Sequence, residues 1–94
     1  MMNAARALDF HIANMVVPQA ELIEHTRKVA GKIKAKAPLA VKMALYAIHY
    51  GLETDVKTGL VLESALANLT IASEDKKEGI TAFLEKRKPS FKGA

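Results

Sequence analysis

Apolar residues recur at helical spacing through most of the chain, in blocks separated by proline, glycine or short polar residues. From about Gln19, Leu22, Thr26, Val29, Ala30 and Ile33 fall at i, i+4, i+7, i+8 and i+11, which predicts a helix to about Lys36. Glu24 and Lys28 add a favourable i,i+4 pair on its wet side. Pro38 suits the first turn of a second helix, where a missing N–H costs nothing. Val41, Ala44, Leu45 and Ile48 form its expected buried stripe, with Gly51 as a stop. Thr54 or Asp55 can cap a third helix, running to about Ala72. Leu60, Val61, Leu62, Ala65, Leu66, Leu69 and Ile71 cover most of its circumference, with Glu63, Ser64 and Asn68 as polar breaks. A helix apolar nearly all round must be covered on nearly all sides, so a surface outside this chain is implied. Ser73 caps a fourth helix, with Glu74 and Asp75 in the first turn, where the helix dipole favours acids. Ile80, Phe83 and Leu84 make its expected apolar face, Lys86-Arg87-Lys88 close it, and Pro89 stops it before a short tail. Upstream, Ala4 to Phe10 reads as a helical end, and Ile12 to Val17 as a short extended run closed by Pro18. The expected fold is all-α: about four helices and one short extended segment, forming a single helical module over residues 1–94.

Composition narrows the function classes. At 94 residues, 50% hydrophobic and 26% charged, the chain is globular and small. A chain of this size buries only about 60–65% of its unfolded surface, so its own core is thin. No apolar run approaches the ~20 residues of a membrane span, and the first residues carry no secretory pattern. The absence of cysteine excludes disulfides and thiolate catalysis and suits a reducing compartment. The expected location is cytoplasmic, or mitochondrial if the natural N-terminus lies upstream of Met1. The net charge of +4 is unevenly spread. Arg27, Lys28, Lys32, Lys34, Lys36 and Lys42 lie in a stretch without acids, and Lys86, Arg87, Lys88 and Lys92 in another. Such patches suit phosphate-bearing partners, and equally the solvated helix faces of a basic protein.

Few residues carry recognisable chemistry. His11, His25 and His49 have no partner at i,i+3 or i,i+4, so no metal site is expected. No glycine-rich phosphate loop, nucleophile elbow or paired-carboxylate motif is present. Glu63 on the apolar third helix has two readings, a general base with raised pKa or a structural carboxylate that is salt-bridged or reaches the helix edge. Tyr46 and Tyr50, beside the first basic stretch, suit base stacking or packing against a neighbouring helix. No nucleic-acid-binding motif supports the former, so a nucleic-acid partner is not expected.

Four segments in order carry a resemblance. They are Asn14-Met15-Val16-Val17-Pro18, Ala37-Pro38-Leu39-Ala40-Val41-Lys42, Ser73-Glu74-Asp75 with Glu78-Gly79, and Ala82-Phe83-Leu84-Glu85-Lys86-Arg87-Lys88-Pro89-Ser90-Phe91-Lys92-Gly93. Together they resemble the C-terminal portion of the enoyl-CoA hydratase/isomerase (crotonase) superfamily, over nearly all of residues 4–94. The resemblance implies helices packed against a preceding ββα spiral domain and against the subunits of a trimer or dimer of trimers. It implies fatty acyl-CoA metabolism and a CoA thioester as substrate. In the implied whole enzyme, amides stabilise a thioester enolate while glutamates move water and protons across a double bond. Those amides and glutamates belong to the spiral domain, so no catalytic residue is carried onto this chain, and the chain alone is expected to be inactive.

What does carry over is coenzyme contact. In the family the C-terminal helix of one subunit can reach the adenosine end of CoA bound to its neighbour, and Phe83 and Lys86 match those positions. Lysine supplies a cation for the 3′-phosphate and phenylalanine an apolar surface for adenine. Phe83 as a core residue and Lys86 as a solvated cation is the competing reading. His11 departs from the family, standing where glycine is common, and Ala67 and Ile71 occupy positions that are often aromatic. The expected role is therefore the C-terminal piece of a hydratase or isomerase that contributes subunit assembly and CoA contact. The alternative is a standalone helical oligomerisation or binding module without catalysis.

Overall fold

In the computed structural model, which describes all of residues 1–94, every regular segment is helical. Five α-helices follow in order: α1 Ala4–Asp9, α2 Leu22–Lys34, α3 Pro38–Gly51, α4 Val56–Ile71 and α5 Glu74–Leu84. The architecture is all-α as the pattern predicts, and the helical end at Ala4 is a helix in its own right. The Ile12–Val17 run pairs with no strand and is irregular. The chain divides into two compact units, Met1–Lys32 and Ile33–Ala94.

In the first unit, Asn3 caps α1 by accepting the Arg6 N–H at 2.9 Å. The helix closes with two hydrogen bonds: the His11 N–H donates to Leu8 O and the Ile12 N–H to Ala7 O, both at 2.9 Å. This closure puts His11 in the left-handed region, at φ 55°. A side chain with a Cβ is strained there, and glycine is the residue that this backbone favours. Helix α2 starts later than its periodicity predicts. Pro18 leads into a 3-10 turn at Gln19–Glu21, with the Glu21 N–H on Pro18 O, and this tighter turn precedes the α-helix. The expected Glu24–Lys28 pair forms, at 2.7 Å.

The second unit is built around α3 against α4, with α5 against α4. Pro38 occupies the first turn of α3. Asp55 caps α4, accepting the Lys57 and Thr58 N–H groups at 3.0 and 3.1 Å, and Ser73 caps α5 through the Lys76 N–H at 3.1 Å. These starts are where the sequence places them. The buried faces are not. On α3, Leu45 and Ile48 are about 60% exposed (60% and 63%) and Ala44 is exposed, whereas Met43 is buried and Ala40, Val41 and Ala47 are half-buried. The stripe turned inward is the smaller one, Ala40, Met43, Ala47 and Gly51 at i, i+3, i+7 and i+11. Gly51 is not a left-handed stop; it is the last residue of α3, and Leu52 caps the helix with right-handed backbone. The close approach belongs to Gly59 of α4, where a Cβ would lie 3.3 Å from Gly51 O, whereas a Cβ on Gly51 would meet nothing within 4 Å. Two backbones meet there without side chains between them.

Candidate functional site

The residues matched to CoA contact lie where α5 turns into the C-terminal tail. Helix α5 also turns a different face inward from the one its apolar pattern suggests. Phe83 is 81% exposed, and Ile80 and Leu84 are exposed too. Asp75 and Ala82 are buried, and Glu78 and Gly79 half-buried. Positions 75, 78, 79 and 82 form one helical stripe, and residues 90–94 return over it. Asp75 accepts the Lys92 N–H at 2.7 Å and the Gly93 N–H at 2.8 Å, while its own N–H donates to Ala94 O at 3.0 Å. Phe91 packs its ring on Gly79, and Gly93 lies beside Pro38 at the start of α3. Glu78 takes the Ser90 N–H at 2.7 Å. The polar stripe is therefore satisfied by backbone from the tail, and the larger apolar residues of the helix are left in solvent.

The turn itself is a second double closure. The Lys86 N–H donates to Phe83 O at 3.2 Å and the Arg87 N–H to Ala82 O at 2.9 Å. Lys86 stands at the left-handed position, φ 54°. Phe83 and Lys86 are thus joined through the backbone of one turn, both exposed. Phe83 is not covered by the rest of this unit.

Arg87 ties the turn down. Its Nη1 and Nη2 meet Glu78 Oε1 and Oε2 at 2.6 and 2.9 Å, and its Nε meets Glu85 Oε2 at 2.6 Å. The Arg87 guanidinium, then the Ser90 N–H, hold the Glu78 carboxyl at about 2, below its ordinary 4.5. In return Glu78, then Glu85, push the Arg87 guanidinium up. Glu78 binds its proton more weakly folded than unfolded. Its contribution to stability is therefore full above about pH 4.5 and fades as pH falls toward 2. Unfolding of wild type and Glu78→Gln, compared from neutral pH downward, should show a gap that narrows across that window. A gap independent of pH would remove the Arg87 pairing as its source.

An apolar groove of about 660 Å³ runs between α3 and α4, with Met43, Ala47, Gly51 and Leu66 among its walls. Leu52, Val56 and Leu60 stand exposed along it. Glu63 also lines the groove, exposed and without an ion pair, so it reaches the helix edge and the burial that a general base would need is absent. Tyr46 and Tyr50 pack edge to face on each other at 5.7 Å, and Lys42 Nζ sits 5.6 Å from the Tyr46 ring centre. Both tyrosines remain half exposed along α3, so the packing is within the helix and not against a neighbouring one. His49 faces Glu53 at 3.9 Å in solvent, and no three acid or imidazole side chains converge on one point. No helix is long and apolar enough to cross a membrane. Asp75, Glu78 and Arg87 were not legible as the organisers of this site. The available signal was the 75, 78, 79, 82 spacing, which reads as a face once the tail is known to cover it.

The helical unit leaves its larger apolar side chains exposed and ends in a clamped cationic turn. The enoyl-CoA hydratase/isomerase family model matches residues 1–94, and the chain belongs to that family. It is 40% identical over 91 residues to a crotonyl-CoA hydratase of Syntrophomonas wolfei, spanning 97% of this chain and 35% of that protein. It is also 40% identical over 85 residues to a short-chain-enoyl-CoA hydratase of Clostridium acetobutylicum, at 90% and 33% coverage. The crystal structure of an enoyl-CoA hydratase from Bacillus anthracis matches with a TM-score of 0.93 at 37% identity, over 97% of this chain and 35% of that one. A Geobacillus kaustophilus homologue matches with a TM-score of 0.90 at 42% identity. The chain thus spans about a third of the length of the relatives it matches.

Proposed function

We propose that this chain is the C-terminal helical module of an enzyme that hydrates or isomerises 2-enoyl-CoA thioesters, providing subunit assembly and part of the coenzyme site. Catalysis belongs to the remainder of such an enzyme, and no residue here is given a catalytic role. The observation that carries the reading is the exposed Phe83–Lys86 turn, in which an aromatic face and an unpaired cation share one backbone closure. An adenine needs an apolar platform and a 3′-phosphate needs a cation, and both groups are available to a ligand. The α3/α4 groove supports the assembly role. A unit whose buried apolar side chains are Met43 and Ala82, with Leu52, Val56, Leu60 and Val61 in solvent, has more apolar surface to cover than it covers itself.

The test uses an assembled enzyme that contains this segment. A single exposed lysine–phosphate contact corresponds to a change of up to about fivefold. Lys86→Ala should raise the ratio of KM for crotonyl-CoA to KM for crotonyl-pantetheine by about that factor, and added salt should shrink the difference. A ratio equal to wild type would remove the nucleotide contact.

A further inference from the structure

Five charged residues gather at the turn after α5: Glu78, Glu85, Lys86, Arg87 and Lys88. Lys86 adjoins Glu85 in sequence, and the Arg87 fork brings Glu78 to the same turn. An ion pair between Lys86 and either acid would compete with any phosphate for the same ammonium. Neither pairs with it. All carboxylate contacts at the turn go to Arg87 or to the Ser90 N–H, and Lys86 makes no ion pair.

The reason lies in the shape of guanidinium. Its planar fork meets Glu78 with two parallel bonds and still directs Nε to Glu85, while Nη1 also reaches Lys88 O at 3.3 Å. An ammonium has no such fork and satisfies at most one of these partners with comparable geometry. The same bonds pin Glu85 and Arg87, the two neighbours of Lys86, while Lys86 itself holds a left-handed backbone that a side chain with a Cβ does not favour. Two acids and one arginine are thereby merged into a cluster, and the Lys86 and Lys88 ammonium groups are left outside it, Lys86 sharing its turn with Phe83.

We propose that Arg87 is a positioning residue for Lys86: by sequestering Glu78 and Glu85 and clamping the left-handed turn, it keeps the Lys86 ammonium available to a phosphate-bearing ligand. This rests on the reading of Lys86 as a contact for the CoA nucleotide. Arg87 itself makes no contact with the ligand in this scheme and acts only through its neighbour.

Arg87→Lys keeps the charge and removes the fork. In the assembled enzyme it should raise the ratio of KM for crotonyl-CoA to KM for crotonyl-pantetheine about threefold to fivefold, approaching the effect of Lys86→Ala. On a Lys86→Ala background it should add nothing, because the group it positions is gone. Adding Glu85→Gln to Arg87→Lys removes a competing acid and should return the ratio toward wild type. A purely structural role would move KM for both substrates together and leave the ratio unchanged, which overturns the proposal. Full multiplication of the Lys86→Ala and Arg87→Lys effects also overturns it, since Arg87 would then touch the ligand directly. A ratio still raised when Glu78→Gln is added to Arg87→Lys with Glu85→Gln, so that both acids are gone, does the same. If Lys86→Ala itself leaves the ratio unchanged, the nucleotide contact falls first. A selective Lys86→Ala beside a silent Arg87→Lys removes only the positioning role.

Discussion

Asp75→Ala should destabilise the purified protein by about 3 kcal/mol and release the C-terminal tail. The carboxylate is 2% exposed and accepts two backbone N–H groups, from Lys92 and Gly93, at 2.7 and 2.8 Å. Bonds from backbone to a charged acceptor are worth roughly 1.5–3 kcal/mol each, and their loss leaves two donors facing a methyl group. The tail is also held by the Asp75 N–H on Ala94 O and by Phe91 on Gly79, so it loosens in stages. Asp75→Asn offers one acceptor oxygen where the carboxylate offers two, and should lose roughly half as much. Denaturant unfolding reads the stability, and trimming by a carboxypeptidase reads the tail. A loss under about 0.5 kcal/mol with unchanged trimming would show that the clamp is dispensable.

Gly59→Val should cost about 2–3 kcal/mol, whereas Gly59→Ala should be close to neutral. A Cβ at position 59 lies 3.3 Å from Gly51 O, 3.7 Å from Gly51 Cα and 3.7 Å from Thr54 Cγ2. The first contact is tight by a few tenths of an ångström, and it is with backbone, which cannot rotate aside. For alanine this cost is offset by up to about 1 kcal/mol, since glycine inside a helix gives up the most backbone entropy. Valine adds two γ-carbons beyond the Cβ, with χ1 restricted by branching, so the helices must separate. Unfolding midpoints of the two variants decide the matter. Equal midpoints for valine and wild type would mean that α3 and α4 do not depend on this approach.

The distance between pattern and structure is clearest on α3. Two stripes there satisfy the helical period, the bulky one at 41, 44, 45 and 48 and the small one at 40, 43, 47 and 51. Hydrophobic periodicity favours the bulky stripe, since each larger side chain gains more from leaving water. The structure uses the small one, because α4 presents Gly59 and two backbones in close approach need small residues between them. On α5 the same inversion is carried by polar groups. Ile80, Phe83 and Leu84 look like a core face, but the face covered within this unit is Asp75, Glu78, Gly79 and Ala82, matched to the N–H groups of the tail. The exposed turn at Phe83 and Lys86 was legible only through resemblance. Its left-handed backbone and its arginine clamp were not.

The sequence by itself determined the helices, the starts of α3, α4 and α5, and the family. Those features are local or cumulative. Pro38, Asp55 and Ser73 act within three residues of where they stand, and the resemblance accumulates over the whole chain. Tertiary structure alone decided which face of each helix is covered and which charges pair. Asp75 reaches Lys92 and Gly93, and Glu78 reaches Arg87 and Ser90. The α3–α4 approach rests on Gly59, set against the backbone of Gly51. A residue's own type sets what it can bond, but its partner is set by where the chain returns, and the return is fixed by satisfying buried polar groups and close backbones together. For that reason a sequence read through hydrophobic period finds the helices of this module and mistakes the side on which they meet.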